Sequence, residues 1–152
     1  MRSCERVVDF LADSGVRYEL REFEESTKNS PLAAQALGCT VAEIAKSVVF
    51  VGGVTAVVVA SGDRRVDASK LRALTGGDVR FAKPDEVRES TGYPVGGVPP
   101  FPHGEGVAVY PDSSLARFER VWAAAGTPNA VFSIRTSDLF GLVGRGPFEL
   151  TE

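Results

Sequence analysis

The fold of this chain is constrained most by two apolar, β-branched runs that a pair of glycines separates. The first run covers residues 46–51, the second covers residues 55–60, and Gly52 and Gly53 lie between them. Branched side chains favour extended backbone, and a glycine pair is a common turn of β-hairpins. The sequence therefore predicts a buried hairpin whose first strand begins with a lysine.

Shorter segments surround this hairpin. Apolar periodicity and end signals predict helices over residues 3–14, 30–37, 67–75, 84–91, 113–125 and 138–143, and another short helix that begins after Thr40. Alternating or apolar runs predict strands over residues 16–21, 79–82, 107–110 and 130–134. Because these elements alternate without long βαβ units, we predict a single α+β domain over residues 1–152, a mixed β-sheet or partial barrel surrounded by short helices.

Two details of this prediction concern the second half of the chain. The clearest helical pattern lies in residues 113–125, where one stripe contains Leu115, Phe118, Val121, Trp122 and Ala125. The residues after the last helix carry no strong pattern. We expect them to be loosely attached to the domain.

Composition excludes several classes of protein. The net charge is −3, and the chain has one histidine and two cysteines, which disfavours a zinc site and non-specific binding of nucleic acid. No apolar run approaches the roughly 18–20 residues that cross a bilayer, and the charged N-terminal pattern is unlike a secretory signal. We expect a cytoplasmic protein that uses no metal or cofactor and binds neither membrane nor DNA.

A loop rich in glycine and proline occupies residues 90–104. The adjacent Gly96 and Gly97 would let backbone amides approach a ligand closely, and the prolines that follow stiffen the chain. The loop also contains His103, the only histidine. Composition alone fits a rigid, substrate-facing loop and an ordinary structural loop equally well.

Lys46 is a further candidate, because it lies at the start of an apolar strand where lysine is unexpected. Its ammonium could bind a phosphate or a polarised carbonyl, although a solvated strand end would also explain it. Residues 64–88 add a second basic feature, with seven cationic and four acidic side chains. This segment predicts a phosphate-facing surface or, as the alternative, solvated helix faces.

Sequence motifs for nucleophilic and nucleotide chemistry are absent. The chain has no Gly-x-Ser-x-Gly elbow and no Walker loop, and a Ser-His-Asp triad would have to use His103. Any chemistry must therefore depend on backbone donors and one or two charges.

Residues 88–101, together with residues 45–50, closely resemble the YbaK/prolyl-tRNA-synthetase-associated editing domains. The shared signature is Ser-Thr-Gly-Tyr-x-Val-Gly-Gly with an upstream lysine, followed later by an Ala-Gly-Thr-Pro-Asn turn. The resemblance extends from about residue 18 to about residue 144. Members of this family are aminoacyl-tRNA deacylases that act in trans or as inserted domains, so it also implies their α+β fold.

The resemblance implies a trans-editing hydrolase that cleaves the ester between a non-cognate amino acid and its tRNA, usually the tRNA for proline. It implies that Lys46 contacts the terminal part of the tRNA and that Phe23 lies beside the pocket. Gly96 and Gly97 would hold the aminoacyl end, with their amides stabilising the oxyanion. The implied partners are the acceptor end of aminoacyl-tRNA and prolyl-tRNA synthetase.

This chain departs from the family pattern in the second half of the loop. Many members have Gly-Gly-x-Ser-Pro-x-Gly where this chain has Val98, Pro99 and Pro100, so a proline ring replaces a serine hydroxyl. We expect these three residues to contact the substrate. His103 either orients water or substrate or is a surface histidine. Members specific for cysteine carry an aspartate near Val131, so that specificity does not carry over.

Two other functions stay open at this point. The first is a catalytically silent module of the same fold that binds tRNA or a synthetase, which the loss of the serine at Pro99 supports. The second is an esterase that acts on small molecules.

Overall fold

One mixed β-sheet organises the structure, which is a computed structural model that describes residues 3–152; residues 1 and 2 of the predicted domain lie outside it. Within this range the sheet has seven strands in the order β1-β7-β6-β2-β3-β5, and β4 also pairs with β2. The strands are β1 (Tyr18–Glu22), β2 (Ile44–Gly52), β3 (Thr55–Ser61), β4 (Val79–Phe81), β5 (Val107–Pro111), β6 (Arg120–Ala124) and β7 (Ala130–Arg135). Since β1 and β5 end the order and do not pair, the sheet is not a closed barrel.

Short helices surround the sheet. Residues 3–152 form α1 (Ser3–Ser14), α2 (Ser30–Leu37), α3 (Ala68–Thr75), α4 (Pro84–Thr91) and α5 (Thr136–Val143), with 3-10 turns at Val41–Glu43 and Ser113–Arg117. Asn29 caps α2 by accepting a hydrogen bond from the Leu32 amide, and Asp67 caps α3 in the same way. None of these helices combines the length and apolar character needed to cross a bilayer. The predicted α+β domain with a mixed sheet and short helices is confirmed.

The predicted hairpin is formed by β2 and β3, and its alternate side chains enter two different cores. Antiparallel pairing places Lys46 opposite Ala60 and Val48 opposite Val58. One core includes Val49, Val57 and Val59 of the hairpin, Val7 and Leu11 of α1, and Phe132 of β7. The other includes Phe50, Val58 and Ala60 of the hairpin with Leu71 and Leu150. Because both faces are buried, the hairpin is a rigid base for its neighbours.

The sheet has a gap along the edge of β2 that faces away from β3. Parallel pairing with β6 occupies this edge only at Ile44 and Ala45, and antiparallel pairing with β4 begins at Phe50. Within the described residues no strand pairs with residues 46–49 on this side. We call this stretch the free edge of β2, and it determines where a ligand can reach the sheet.

The predicted helix over residues 113–125 is wrong. The chain forms a 3-10 turn at Ser113–Arg117, becomes extended at Phe118, and continues as strand β6. Apolar residues in this segment fit both a helical and an alternating pattern, because Val121 and Ala123 are buried while Trp122 between them is half-buried. Pairing with β2 and β7 therefore overrides the local helical preference.

The expectation of a loosely attached C-terminus is also wrong. Leu150 is only 1% exposed, and Thr151 forms a bridge with Val66. The fully buried carboxylate of Asp112 accepts hydrogen bonds from the Leu150 amide at 2.7 Å and from the Thr151 hydroxyl at 3.2 Å. A buried polar group that requires donors thus helps to fix the end of the chain, together with the backbone hydrogen bonds of Leu150 and Glu152.

Candidate active site

A cavity of about 300 Å³ lies at the free edge of β2. Residues 44–49 of β2 form one wall, and residues 122–124 of β6 with Val131 of β7 form another. The remaining walls come from residues 27–30 and Ala33 before and within α2, from residues 81–82 and Val87, and from Val95, Gly96 and Val98 of the loop. The gap between β6 and β4 is therefore the reason why a cavity exists at this point.

Lys46 lies at the mouth of this cavity and also borders a second groove on the neighbouring surface. No acceptor for its ammonium is found within residues 3–152. Burial lowers the pKa of the Lys46 ammonium below its ordinary value of 10.5, and the carboxylate of Asp63 offsets part of this change. A partly desolvated cation without a partner is suited to bind an anionic or polarised oxygen of a ligand.

Replacing Asp63 with asparagine is expected to lower the pKa of Lys46 further. The substitution removes the carboxylate that favours the charged ammonium, and it leaves the guanidinium of Arg117 without its carboxylate partner. Titration of the Lys46 side chain by NMR measures this directly. Glu86→Gln, which removes a carboxylate bonded to Arg80, is the control and should leave the pKa of Lys46 unchanged. If the pKa of Lys46 were unchanged or higher in Asp63→Asn, the Asp63 carboxylate would not be the group that favours the charged ammonium.

Ser47, the next residue of β2, also lines the cavity, and sequence reasoning did not identify it. Its hydroxyl oxygen is buried and has no hydrogen-bond partner among the described residues. The Val49 carbonyl accepts from the Ala82 amide on the side away from β3, and peptide groups of alternate residues point to the same edge of a strand. The amide and carbonyl of Ser47 therefore face the free edge. The one available signal was a serine within an apolar run.

The sequence predicts that Gly96 and Gly97 let backbone amides approach a ligand, but in the structure they allow segments of the protein to pack closely. The Gly97 amide donates to the Pro94 carbonyl at 2.9 Å and closes a tight turn, in which Gly96 has a φ of +81°. A Cβ at Gly96 would lie 2.5 Å from the Cβ of Lys28, and one at Gly97 would lie 2.9 Å from the backbone of Thr127. Both glycines therefore allow close packing between segments of the protein itself.

The two glycines also differ in what they offer to a ligand. Gly96 lines the cavity, and its amide has no acceptor within residues 3–152. The Gly97 amide is already engaged in the turn, and Gly97 is buried. The structure therefore leaves the Gly96 amide, and not the Gly97 amide, available as a donor from this pair.

The other predicted site residues divide into two groups. Val98 lines the cavity, whereas Pro99 and Pro100 are buried outside its lining. Phe23 borders a separate groove. The structure therefore brings Lys46, Gly96 and Val98 together, and leaves Gly97, Phe23, Pro99, Pro100 and His103 outside the cavity walls.

His103 stabilises the loop from within. Its Nε2 lies 2.8 Å from the Pro99 carbonyl and donates to it, and its ring meets the ring of Tyr93 edge-on at 5.4 Å. The Tyr93 hydroxyl donates to the Pro102 carbonyl at 2.7 Å. Burial lowers the pKa of His103 below its ordinary value of 6.5, although the Pro99 hydrogen bond opposes this change. A neutral imidazole is thus part of the loop's packing.

We expect the free energy of unfolding to decrease as the pH falls through 6.5, the ordinary pKa of histidine. The unfolded chain binds a proton at His103 in this range, whereas the lowered pKa of the native state prevents it from doing so, so acidification favours unfolding. His103→Gln should remove this dependence. Urea unfolding of both proteins between about pH 7.5 and about pH 5.5 tests the prediction. An identical pH dependence in the variant would contradict it.

The walls of the cavity are mostly apolar. Val49, Val98, Ala123 and Val131 contribute to them, and no acidic side chain of the described residues lines the cavity. Val131, near which the resemblance places the aspartate of cysteine-specific members, contributes an apolar surface to the cavity. The site thus offers the cations Lys28 and Lys46 and the free backbone amides of Ser47 and Gly96 beside a small apolar pocket.

Fold and site together define a small α+β domain with a cavity at a free sheet edge, and known proteins share its fold. The aminoacyl-tRNA editing domain family matches residues 24–142. The uncharacterized protein YwhH of Bacillus subtilis (strain 168) is 37% identical over 123 residues, which is 80% of this chain and 78% of YwhH. This chain therefore belongs to the aminoacyl-tRNA editing domain (YbaK) family.

Solved structures agree with this assignment. The structure of a candidate trans-editing enzyme for prolyl tRNA synthetase has a TM-score of 0.90 and 40% identity, with 100% of this chain and 98% of that chain covered. The structure of hypothetical protein APE2540 has a TM-score of 0.91 and 30% identity, with 97% of this chain and 99% of that chain covered. The similarity thus includes the whole fold around the cavity.

Proposed function

We propose that this protein is a trans-editing hydrolase that cleaves the ester bond of a mischarged aminoacyl-tRNA. The substrate is tRNA for proline that carries a small, non-cognate amino acid. Membership of the editing family and similarity to a candidate trans-editing enzyme for prolyl tRNA synthetase support this proposal. The observation that carries it is the cavity at the free edge of β2, where an unpartnered ammonium and unpartnered backbone donors surround a small apolar pocket.

Ester hydrolysis requires few groups from such a site. Water adds to the ester carbonyl carbon, the oxyanion collapses, the bond to the ribose oxygen breaks, and the proton lost by the water passes to that leaving oxygen. Donors aimed at the oxyanion supply much of the rate enhancement in acyl transfer. The Gly96 amide and the Lys46 ammonium are the donors assigned here. A hydroxyl or amine of the substrate helps to hold the water, so no triad is required.

We assign to Ser47 the role of forming hydrogen bonds with the polar groups of the bound aminoacyl ester. Its hydroxyl lines the cavity without a partner, and its peptide groups face the same space. A ligand that pairs with these groups removes the cost of leaving them unsatisfied. This arrangement favours an amino acid ester over a simple ester that lacks an amine.

The size of the cavity supports a small side chain. Ligand cavities commonly span about 300 to 1,000 Å³, and this one has about 300 Å³. The aminoacyl group shares that space with part of the terminal ribose. Val98 and Val131 narrow the apolar end, so alanine or serine fits better than a large residue.

A catalytically silent binding module is the second candidate function. The engaged amide of Gly97 favours it, because one donor expected from the family pattern is unavailable for an oxyanion. Incubating the protein with tRNA for proline charged with alanine, serine, cysteine or proline separates the two functions. Release of a non-cognate amino acid above the uncatalysed rate supports the hydrolase. Binding of the charged tRNA without release supports the silent module.

A further inference from the structure

A second concave surface adjoins the cavity, and the arginines that line it have no role in the proposed chemistry. This groove, of about 440 Å³, is lined by Lys46, Val48, residues 62–66 and Phe81. We call it the arginine groove, after Arg64 and Arg65. It shares Lys46, Val48 and Phe81 with the cavity. A ligand that fills the cavity can therefore extend into the groove past the Lys46 ammonium.

The arginine groove carries available positive charge. The side chain of Arg65 is 83% exposed and meets only the exposed Glu152, at 3.4 Å. Arg64 approaches Asp63 at 3.9 Å, but the two oxygens of Asp63 already accept hydrogen bonds from Arg117 at 2.7 and 3.2 Å. Exposed pairs at these distances contribute little and exchange easily for a stronger anion. Both arginines can therefore bind phosphate.

The other cations of the basic segment 64–88 differ from these two. Arg80 makes a bidentate pair with Glu86, and Arg72 donates to the Val79 carbonyl. Lys70 donates to the carbonyl of Thr151. None of these three, and neither Lys83 nor Arg88, lines the arginine groove. The phosphate-facing surface anticipated from the whole segment thus reduces to the two arginines beside Lys46.

Phe81 gives the groove an aromatic platform. Its side chain remains 52% exposed although it is a large apolar residue. The ring packs against the buried Phe50 at a centroid distance of 4.6 Å, which holds it in place. Aromatic rings beside cationic side chains are the common means of binding single-stranded nucleic acid, because each base has a face that can stack.

We propose that the arginine groove binds the unpaired nucleotides that precede the esterified adenosine of the tRNA. The base next to the adenosine stacks on Phe81, and the phosphates of these nucleotides bind Arg64 and Arg65. Lys46 then lies at the junction between the aminoacyl group in the cavity and the polynucleotide in the groove. This inference rests on the proposed function, because it assigns the remainder of the same substrate.

The test compares two substrates that share the ester but differ in length. One is mischarged tRNA, and the other is the aminoacyl ester of adenosine, which lacks the preceding nucleotides. For the tRNA, we expect Arg64→Ala, Arg65→Ala and Phe81→Leu each to raise KM about tenfold. Each arginine variant should also lower the slope of log affinity against log salt by about 0.7. The two arginine variants, whose side chains lie outside the cavity, should hydrolyse the ester of adenosine as the wild type does.

Matched controls separate this effect from general damage. Arg17→Ala removes an exposed arginine, and Leu74→Ala removes an exposed apolar side chain, both outside the groove and the cavity. Phe81→Leu keeps an apolar side chain against Phe50 but removes the stacking ring. The controls should match the wild type on both substrates. Equal losses on tRNA and on the adenosine ester, or no loss on tRNA, would overturn the proposal.

Failure of the proposed function gives a different result. A wild-type protein that hydrolyses neither substrate overturns the hydrolase, and the groove is then tested by binding alone. A fluorescent RNA hairpin with an unpaired CCA end should bind the wild type about tenfold more tightly than the three groove variants. Equal affinity for all four proteins would overturn the groove assignment by itself.

Discussion

Replacing Lys46 with alanine is expected to lower kcat/KM for release of the amino acid from mischarged tRNA by about 100-fold or more. The ammonium is the cation that lines both the cavity and the arginine groove, and no other residue among those described replaces it there. Because burial lowers its pKa and no acceptor within residues 3–152 pairs with it, the native state gains little from this charge. The free energy of unfolding should change by less than about 1 kcal/mol.

One variant separates the charge of Lys46 from its packing, and a second variant at another lysine serves as the control. Lys46→Met retains an unbranched apolar chain without the ammonium and should be as inactive as Lys46→Ala. Lys70→Ala removes a lysine that donates to the Thr151 carbonyl on another surface, and should retain full activity. Single-turnover deacylation and urea unfolding of the same preparations measure both properties. Activity like that of the wild type in folded Lys46→Ala would remove the core of the mechanism.

Replacing Asp112 with alanine is expected to have the largest effect on stability, a loss of about 3 kcal/mol in the free energy of unfolding. The carboxylate is fully buried and accepts hydrogen bonds from the amides of Ser114 and Leu150 and from the hydroxyl of Thr151. Alanine leaves two buried N–H groups without acceptors and removes both hydrogen bonds that Asp112 accepts from Leu150 and Thr151.

The exposed cap of α3 is the control for this prediction. Asp67→Ala also removes a carboxylate that accepts from a backbone amide, but water can replace it, so the loss should be smaller. Asp112 does not line the cavity, and activity per folded molecule of Asp112→Ala should therefore match the wild type. Urea unfolding measures the stability. A loss no greater than that of Asp67→Ala would show that the buried carboxylate does not anchor the chain.

Local pattern was enough to predict the elements that depend on local chemistry. The hairpin of β2 and β3 follows from two β-branched runs and a glycine pair, and α2 and α3 follow from their caps and terminal glycines. The segment 113–125 is different, because its apolar residues fit two periods and only pairing with distant strands selects β6. The fixed C-terminus likewise depends on Asp112, which lies almost forty residues earlier.

The candidate site likewise has features that the sequence could predict and features that it could not. Lys46 and the loop could be identified from the sequence because they belong to a specific signature. The cavity between them could not, since it results from a gap between β6 and β4, which are far apart in the chain. Ser47 can offer its hydroxyl and peptide groups to a ligand only because no strand fills that gap. Gly97 does allow the close approach that a glycine predicts, but the segment that approaches it is the backbone of Thr127 and not a ligand.

The most direct test of the central claim is the initial rate at which the purified wild-type protein releases amino acid from tRNA for proline charged with alanine. The same tRNA charged with proline serves as the reference, and Lys46→Ala serves as the blank. We predict rapid release of alanine, slow release of proline and no release by the variant above the uncatalysed rate. Equal and uncatalysed rates for wild type and variant on every charged tRNA tested would contradict the assignment of this cavity as an editing site.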